Sequence, residues 1–388
     1  MSVDLSPRDG GSSPFKGRKN AHGQYNFQPS PPHTMSPLQP AVSSEHNWSR
    51  RRKHIPFLIS ILIIANIAVF IVTMYYNNCP VQSAEQQLQK KSCILPWLHR
   101  FSFQPWHENP LLGPSAATLR DKMGGLQRSL VISQQQPHHH QAWRLVTCIW
   151  LHAGLFHLLA HILALLLVGI RMEMEFGALR IGVIYLLSGI GGSLLSALFL
   201  EEDQVSVGAS GALFGLLGAT LAELLTNWSR HDNSSKCASL VRLLLLLFIN
   251  LALGLMPFVD NFAHIGGFLA GFLLGFAVLM RVQKGYKKKK KNNDKAGSDH
   301  HHHQLLPYLG GGGGGGGGGT VVDHADIVAM IINRKYKVYQ IVCMVASVIL
   351  LVGLYAAACA TLFTGINTSK NCSWCHYLNC VPTSKWQC

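Results

Sequence analysis

Seven runs of apolar residues, separated by polar stretches of very unequal length, set the pattern of this chain. They cover approximately residues 55–76, 145–170, 179–200, 208–226, 239–258, 260–282 and 338–363. An α-helix rises 1.5 Å per residue, so about 20 apolar residues cross the roughly 30 Å hydrocarbon layer of a bilayer. The pattern predicts an all-α polytopic membrane protein with seven transmembrane helices. Residues 1–54, rich in Ser, Pro, Gly and His, cannot bury a core and are expected to be disordered. No cleavable signal peptide is expected, since the first apolar run begins near Ile55. A long loop at 77–141 carries Trp97, Phe101, Phe103 and Trp106, suited to a membrane interface. Residues 283–337 read as a low-complexity linker, with Lys287 to Lys291, His300 to His303 and the glycine run Gly310 to Gly319. Residues 364–388 form a Cys-rich tail.

Charge refines this picture. Only 13% of residues are charged, yet the formal net charge is +15. The excess sits beside the apolar runs, as at Arg50-Arg51-Arg52-Lys53 and from Arg281 to Lys291. That placement follows the positive-inside rule and excludes nucleic acid as the partner. It puts the N-terminus in the cytosol and, after seven crossings, the C-terminus outside it. Of ten cysteines, Cys79 and Cys93 then fall in the first exoplasmic loop, and Cys372, Cys375, Cys380 and Cys388 in the tail. Disulfides are expected there, with fifteen possible pairings among six cysteines. Zinc at Cys372 and Cys375, with His376 nearby, is the rival. Asn367 and Asn371 are glycosylation acceptors in the tail, whereas Asn47, Asn227 and Asn233 face the cytosol.

The chemistry lies within the spans. Val207-Gly208-Ala209-Ser210-Gly211-Ala212-Leu213-Phe214-Gly215 places a serine at the start of the fourth span, with Gly211 and Gly215 spaced by four. The sixth span opens Asp260-Asn261-Phe262-Ala263-His264 and continues with Gly267, Gly271 and Gly275 at the same spacing. Two such stripes allow two helices to meet backbone to backbone. Contact between them would bring Ser210 and His264 to one depth, as a serine nucleophile and its histidine base require. Taken alone, the Ser210 stretch is an ordinary packing seam. His152, His157 and His161 line the second span; His157 and His161 could donate hydrogen bonds to an oxyanion. A metal held by these three and His264 is the competing reading, but no His-Glu-x-x-His helix is present. A transporter is the weakest candidate, because the spans show no inverted repeat.

These residues resemble the rhomboid family of intramembrane serine proteases. The resemblance rests on Gly208-Ala209-Ser210-Gly211, Ala263-His264-Ile265-Gly266-Gly267, Trp143-Arg144, His152-x4-His157 and Glu173-x3-Gly177, covering about residues 143–280. It implies a six-helix core, here with one extra C-terminal helix as in secretory-pathway rhomboids of the plant branch. It also implies no cofactor and no metal. Ser210 would be the nucleophile, His264 the general base, and His157, Gly208 and the Ser210 backbone the oxyanion region. Trp143 and Arg144 would belong to a loop in the outer leaflet, with Glu173 among that loop's hydrogen bonds. Substrates would be single-span membrane proteins cut near the exoplasmic face, in the Golgi or another endomembrane. Two positions depart from the family pattern. His161 stands where an asparagine usually donates to the oxyanion, and Phe214 where many relatives carry tyrosine. A catalytically weak, client-binding protein is the alternative that His161 raises.

Overall fold

The computed structural model describes residues 55–81, 93–132, 140–201, 204–228, 233–254, 259–282 and 336–366, together with 368, 372 and 375–379. Residues 1–54, most of the 283–337 linker, Cys380, Cys388, Asn367 and Asn371 lie outside them, as do the readings made of them. Regular structure among the described residues is helical. The long helices are α1 (Phe57–Asn77), α2 (Leu155–Phe176), α3 (Ala178–Phe199), α4 (Ser210–Thr226), α5 (Asn233–Leu253), α6 (Asn261–Val278) and α7 (Val338–Phe363). Of these, α1, α2, α3, α6 and α7 are long and apolar enough to cross a membrane; α4 is apolar but has 17 residues. The chain is thus a polytopic membrane protein.

The second apolar run behaves differently from its sequence. It was expected to be helical from residue 145, but α2 starts at Leu155. Short helical turns at Arg144–Thr147 and Cys148–Trp150 precede it, and Leu151 and Gly154 are extended. The cause is a loop that supplies the first turn's missing acceptors. Leu155 and Phe156 donate to the carbonyls of Leu112 and Leu111 at 2.8 and 3.3 Å. The loop backbone lies so close that a Cβ on Gly154 would stand 2.2 Å from the Leu111 oxygen.

Helices α3, α4 and α6 form the centre. A Cβ on Gly267 would lie 2.0 Å from the Gly211 carbonyl oxygen, and one on Gly271 would lie 2.0 Å from that of Gly215. One on Gly218 would meet the Phe268 carbonyl oxygen at 2.3 Å. Both glycine stripes face each other, as their spacing predicts. Helix α3 joins them through Gly192, whose Cβ would be 2.6 Å from the Ala263 oxygen. Away from this seam the helices present apolar faces outward. Ile61 and Ile64 of α1, Leu244 and Phe248 of α5, and Val345 and Ile349 of α7 are all exposed. Such surfaces suit lipid rather than water.

Polar groups hold the helix ends. Glu173 is fully buried and accepts from the backbone N–H groups of Leu58 and Ile59, both at 2.8 Å. It therefore caps α1 from a neighbouring helix. This corrects its expected place in the outer loop's hydrogen bonds: both carboxylate oxygens are engaged at the opposite end of the bundle. At that same end Arg281 pairs with Glu175 and Glu223, each at 2.7 Å. Helix α7 docks there through Tyr339, whose hydroxyl donates to the Thr226 carbonyl at 2.7 Å. Midway along α7, Tyr355 donates to the Leu187 carbonyl of α3 at 2.5 Å.

Candidate active site

Ser210 opens α4, two residues after Gly208, whose φ of +132° lies in a region glycine tolerates and side chains strain to reach. The Gly208 N–H donates to the Cys148 carbonyl at 2.9 Å, fixing the turn to the segment before α2. Just upstream, Ser206 and Leu126 exchange backbone hydrogen bonds at 2.9 and 3.0 Å. That pairing ties the Ser210 turn to the loop held by Arg144. The buried Arg144 guanidinium donates to the carbonyls of Arg120 and Gly125 at 2.6 and 2.7 Å, and to Gln141 at 2.6 Å. Trp143 beside it is half exposed, with the Arg144 guanidinium 4.9 Å from its ring centroid. Arg144 thus ties this loop together, with Trp143 packed against its guanidinium.

His264 sits one turn into α6 and is buried. The Gly211–Gly267 contact sets its level against Ser210, because each residue lies within one turn of that contact. Its ring stacks on Phe214, with centroids 4.1 Å apart and planes inclined by 10°. Phe214 thus supports the imidazole face without a tyrosine hydroxyl. His264 Nδ1 lies 3.1 Å from Asn261 Oδ1. The Asn261 amide nitrogen donates to the carbonyls of Leu251 and Leu378 at 3.2 and 2.8 Å. With the amide so oriented, its oxygen accepts from His264 Nδ1–H and the other ring nitrogen, Nε2, is left bare. Among the described residues no hydrogen bond joins Ser210 to His264. Such contacts commonly tighten only once substrate is bound.

His157 and His161 of the second apolar run stand behind Gly208, with the His152 ring packed against both. A Cβ at Gly208 would stand 2.8 Å from His157 Cε1, 3.1 Å from His157 Nε2 and 3.2 Å from His161 Cε1. The expected oxyanion residues are therefore adjacent to the Ser210 turn. The Ala153 N–H donates to His157 Nδ1 at 3.4 Å, which places the proton of a neutral His157 on Nε2, toward Gly208. His161 Nδ1 lies 3.0 Å from Nε2 of the fully buried His152. Among the described residues, no group of histidine, cysteine or acidic side chains has the arrangement of a metal site. Cys372 and Cys375 are joined to each other, as are Cys79 and Cys93, which answers the pairing question for four cysteines.

Two contributors were not assigned from sequence, although both precede His264 in the Asp260-Asn261-Phe262-Ala263 run. Asp260 is the N-cap of α6, accepting from the Ala263 N–H at 3.0 Å. Its other oxygen accepts from Ser206 at 2.6 Å and from Ser196. One carboxylate thereby joins the end of α3, the approach to Ser210 and the start of the His264 helix. An aspartate just before an apolar run is a recognised helix-start signal. Asn261 had no comparable signal, since its partners are distant in sequence.

Known proteins resemble this chain over most of its length. Residues 139–281 match the family model described as Rhomboid domain. The chain is 47% identical over 333 residues to RHOMBOID-like protein 1 of Arabidopsis thaliana, a match covering 86% of this chain and 74% of that protein. It is 47% identical over 346 residues to RHOMBOID-like protein 2 of the same plant, covering 89% and 92% respectively. It is also 37% identical over 355 residues to a protein named Inactive RHOMBOID-like protein 8, covering 89% and 87%. The chain belongs to the rhomboid family.

Proposed function

We propose that the chain is an intramembrane serine endopeptidase that cuts single-span membrane proteins near the exoplasmic end of their helix. The observation that carries this reading is the backbone contact of Gly211 with Gly267, which levels Ser210 with an imidazole already held by Asn261 and Phe214. In the reaction, His264 Nε2 takes the Ser210 proton as Oγ attacks the scissile carbonyl. The developing oxyanion meets His157 Nε2–H, His161 and the free N–H groups of the α4 N-terminus. His264 then returns the proton to the leaving amine, and a water hydrolyses the acyl-enzyme. Seventeen residues of α4 rise about 25 Å, less than the roughly 30 Å apolar layer, so Ser210 stands recessed within it. A substrate helix has to unwind there, because an intact helix hides its carbonyls.

The topology proposed is seven crossings, with the N-terminus cytosolic and the tail luminal in the Golgi or another endomembrane. Glycosidase treatment of the wild type and of an Asn367→Gln/Asn371→Gln chain tests it; no mass shift in the wild type counts against a luminal tail. Co-expression with a single-span substrate tests the chemistry. Cleavage by the wild type that Ser210→Ala and His264→Ala both abolish is the expected result. Equal cleavage by wild type and Ser210→Ala would sink the proposal. His161 and the relative named inactive favour a second reading, a client-binding protein without proteolysis. That reading expects Ser210→Ala to leave client levels unchanged and a fluorophosphonate probe to leave Ser210 unlabelled.

A further inference from the structure

We propose that the tail beyond α7 is a working part of the site: Leu378 fixes the Asn261 amide, and Asn261 thereby fixes the tautomer of His264. The inference rests on the serine-protease reading, in which His264 is the base. A neutral imidazole carries one proton on either of two nitrogens, and only one tautomer can accept from Ser210. Asn261 decides between them, since it can offer His264 Nδ1 either an oxygen or an amide N–H. In the structure its amide nitrogen is claimed by two carbonyls, Leu251 at 3.2 Å and Leu378 at 2.8 Å. Turning the amide over would set its oxygen against both carbonyl oxygens. The oxygen is therefore the atom left for His264, and Nδ1 must be the protonated nitrogen.

The shorter of the two contacts comes from 117 residues away in sequence, so it exists only if the tail docks. Three features dock it. The buried Arg128 donates to the Ile366 carbonyl at 2.6 Å, just after α7 ends. Thr368 donates to the Leu198 carbonyl at the end of α3. The Cys372–Cys375 disulfide then closes the turn that leads into the short helix His376–Asn379, with Cys375 buried and Leu378 N–H donating to the Cys375 carbonyl at 3.0 Å. Without this turn the Leu378 carbonyl leaves Asn261, only the longer Leu251 contact still opposes turning the amide, and N–H can be presented to His264 in a larger share of molecules. The ring is then drawn to the tautomer protonated on Nε2, which cannot take the Ser210 proton.

The positioning role appears in turnover rather than in substrate binding. A displaced or mis-protonated base lowers kcat by about 10- to 100-fold with KM little changed. The full chain in bicelles is compared with Cys372→Ser/Cys375→Ser, with a chain stopped after Gly365, and with Asn261→Ala. Each is expected to show that fall in kcat, and adding either tail change to Asn261→Ala is expected to do nothing more. Nitrogen NMR of 15N-labelled histidine reads the tautomer directly, with the His264 signal assigned by its loss in His264→Ala. It should report protonated Nδ1 in the full chain and a mixture in the tail variants. Tail variants with wild-type kcat and an unchanged His264 spectrum overturn the proposal, and so do losses that multiply with that of Asn261→Ala. If the stopped chain fails to fold, the serine pair decides. Absence of Ser210-dependent cleavage in the intact chain strikes the protease reading instead, and the spectrum still shows whether the tail sets the histidine.

Discussion

Gly267→Ala is the sharpest probe of how the Ser210–His264 level is set. The added methyl would stand 2.0 Å from the Gly211 carbonyl oxygen and 2.8 Å from the Gly211 Cα. Ordinary contact begins near 3.4 Å, so α4 and α6 must part by about 1.4 Å beside the two residues. The obstacle is backbone, which cannot rotate away as a side chain can. Two terms oppose each other in stability. Alanine gains about 1 kcal/mol over glycine inside a helix, while overpacking costs about 1–3 kcal/mol. The net loss is therefore small, at most about 2 kcal/mol. Reaction geometry has no such compensation, because a misplacement near 1 Å costs about 100-fold in rate. Gly267→Ala is thus expected to fold, melt a few degrees lower and lose about 100-fold in substrate cleavage. Fluorophosphonate labelling of Ser210 should slow in parallel. Gly353→Ala on α7, where nothing lies within 4 Å of the new Cβ, is the control and should match wild type. Cleavage and labelling within twofold of wild type in Gly267→Ala would refute the idea that backbone contact positions the pair.

The other predictions follow from single contacts. His161→Ala should lower kcat by about 100- to 1,000-fold if this ring donates to the oxyanion, while His161→Asn should retain activity; steady-state cleavage rates compare them. Glu173→Gln leaves one α1 N–H facing an amide N–H in a buried position, so melting should report a loss of about 1–3 kcal/mol with kcat unchanged. Asp260→Ala removes the α6 N-cap, worth about 0.5–2 kcal/mol, and strands two serine hydroxyls. It should lower both the melting temperature and the labelling rate of Ser210, whereas Glu173→Gln lowers only the former.

The apolar pattern predicted helices almost residue for residue where lipid and glycine contacts decide the matter. Residues 338–363 are α7 as expected, and 179–200 and 208–226 differ from α3 and α4 by one or two residues. The start of the second span was misplaced because a loop from residues 105–114 competes for its first turn, and pairing between distant segments leaves no local periodicity. The glycine stripes made Ser210 and His264 legible, since small residues at spacing four have few other purposes in a membrane helix. Asn261 and Leu378 were not legible for the opposite reason. Their contact uses a backbone carbonyl, which every residue carries, so no sequence pattern marks it. Glu173 was found as a structural residue, but its partners are likewise backbone N–H groups, those of Leu58 and Ile59 rather than groups of the outer loop.

The two halves of the site are held by different kinds of contact, and they should respond differently to change. Ser210 and His264 are levelled by glycine backbones, where any side chain meets an immovable atom. The half proposed to receive the oxyanion consists of imidazoles on α2 that face Gly208 across side-chain contacts. Side chains have alternative rotamers and partners, so substitutions there shift hydrogen bonds without moving helices. The first half is expected to lose rate because its helices are displaced when its glycines change, and the second because hydrogen bonds are lost while the helices stay in place. His161 belongs to the second half. Its imidazole occupies the asparagine position with Nδ1 already tied to His152, and a ring so fixed has one nitrogen left for the substrate side. Whether that nitrogen carries the proton is set by His152, whose ring is fully buried. A His152→Ala change should therefore matter in the native chain and become silent once residue 161 is asparagine, whose amide donates without a partner to fix it. Comparing cleavage rates across that pair of substitutions separates an adapted oxyanion site from a disabled one.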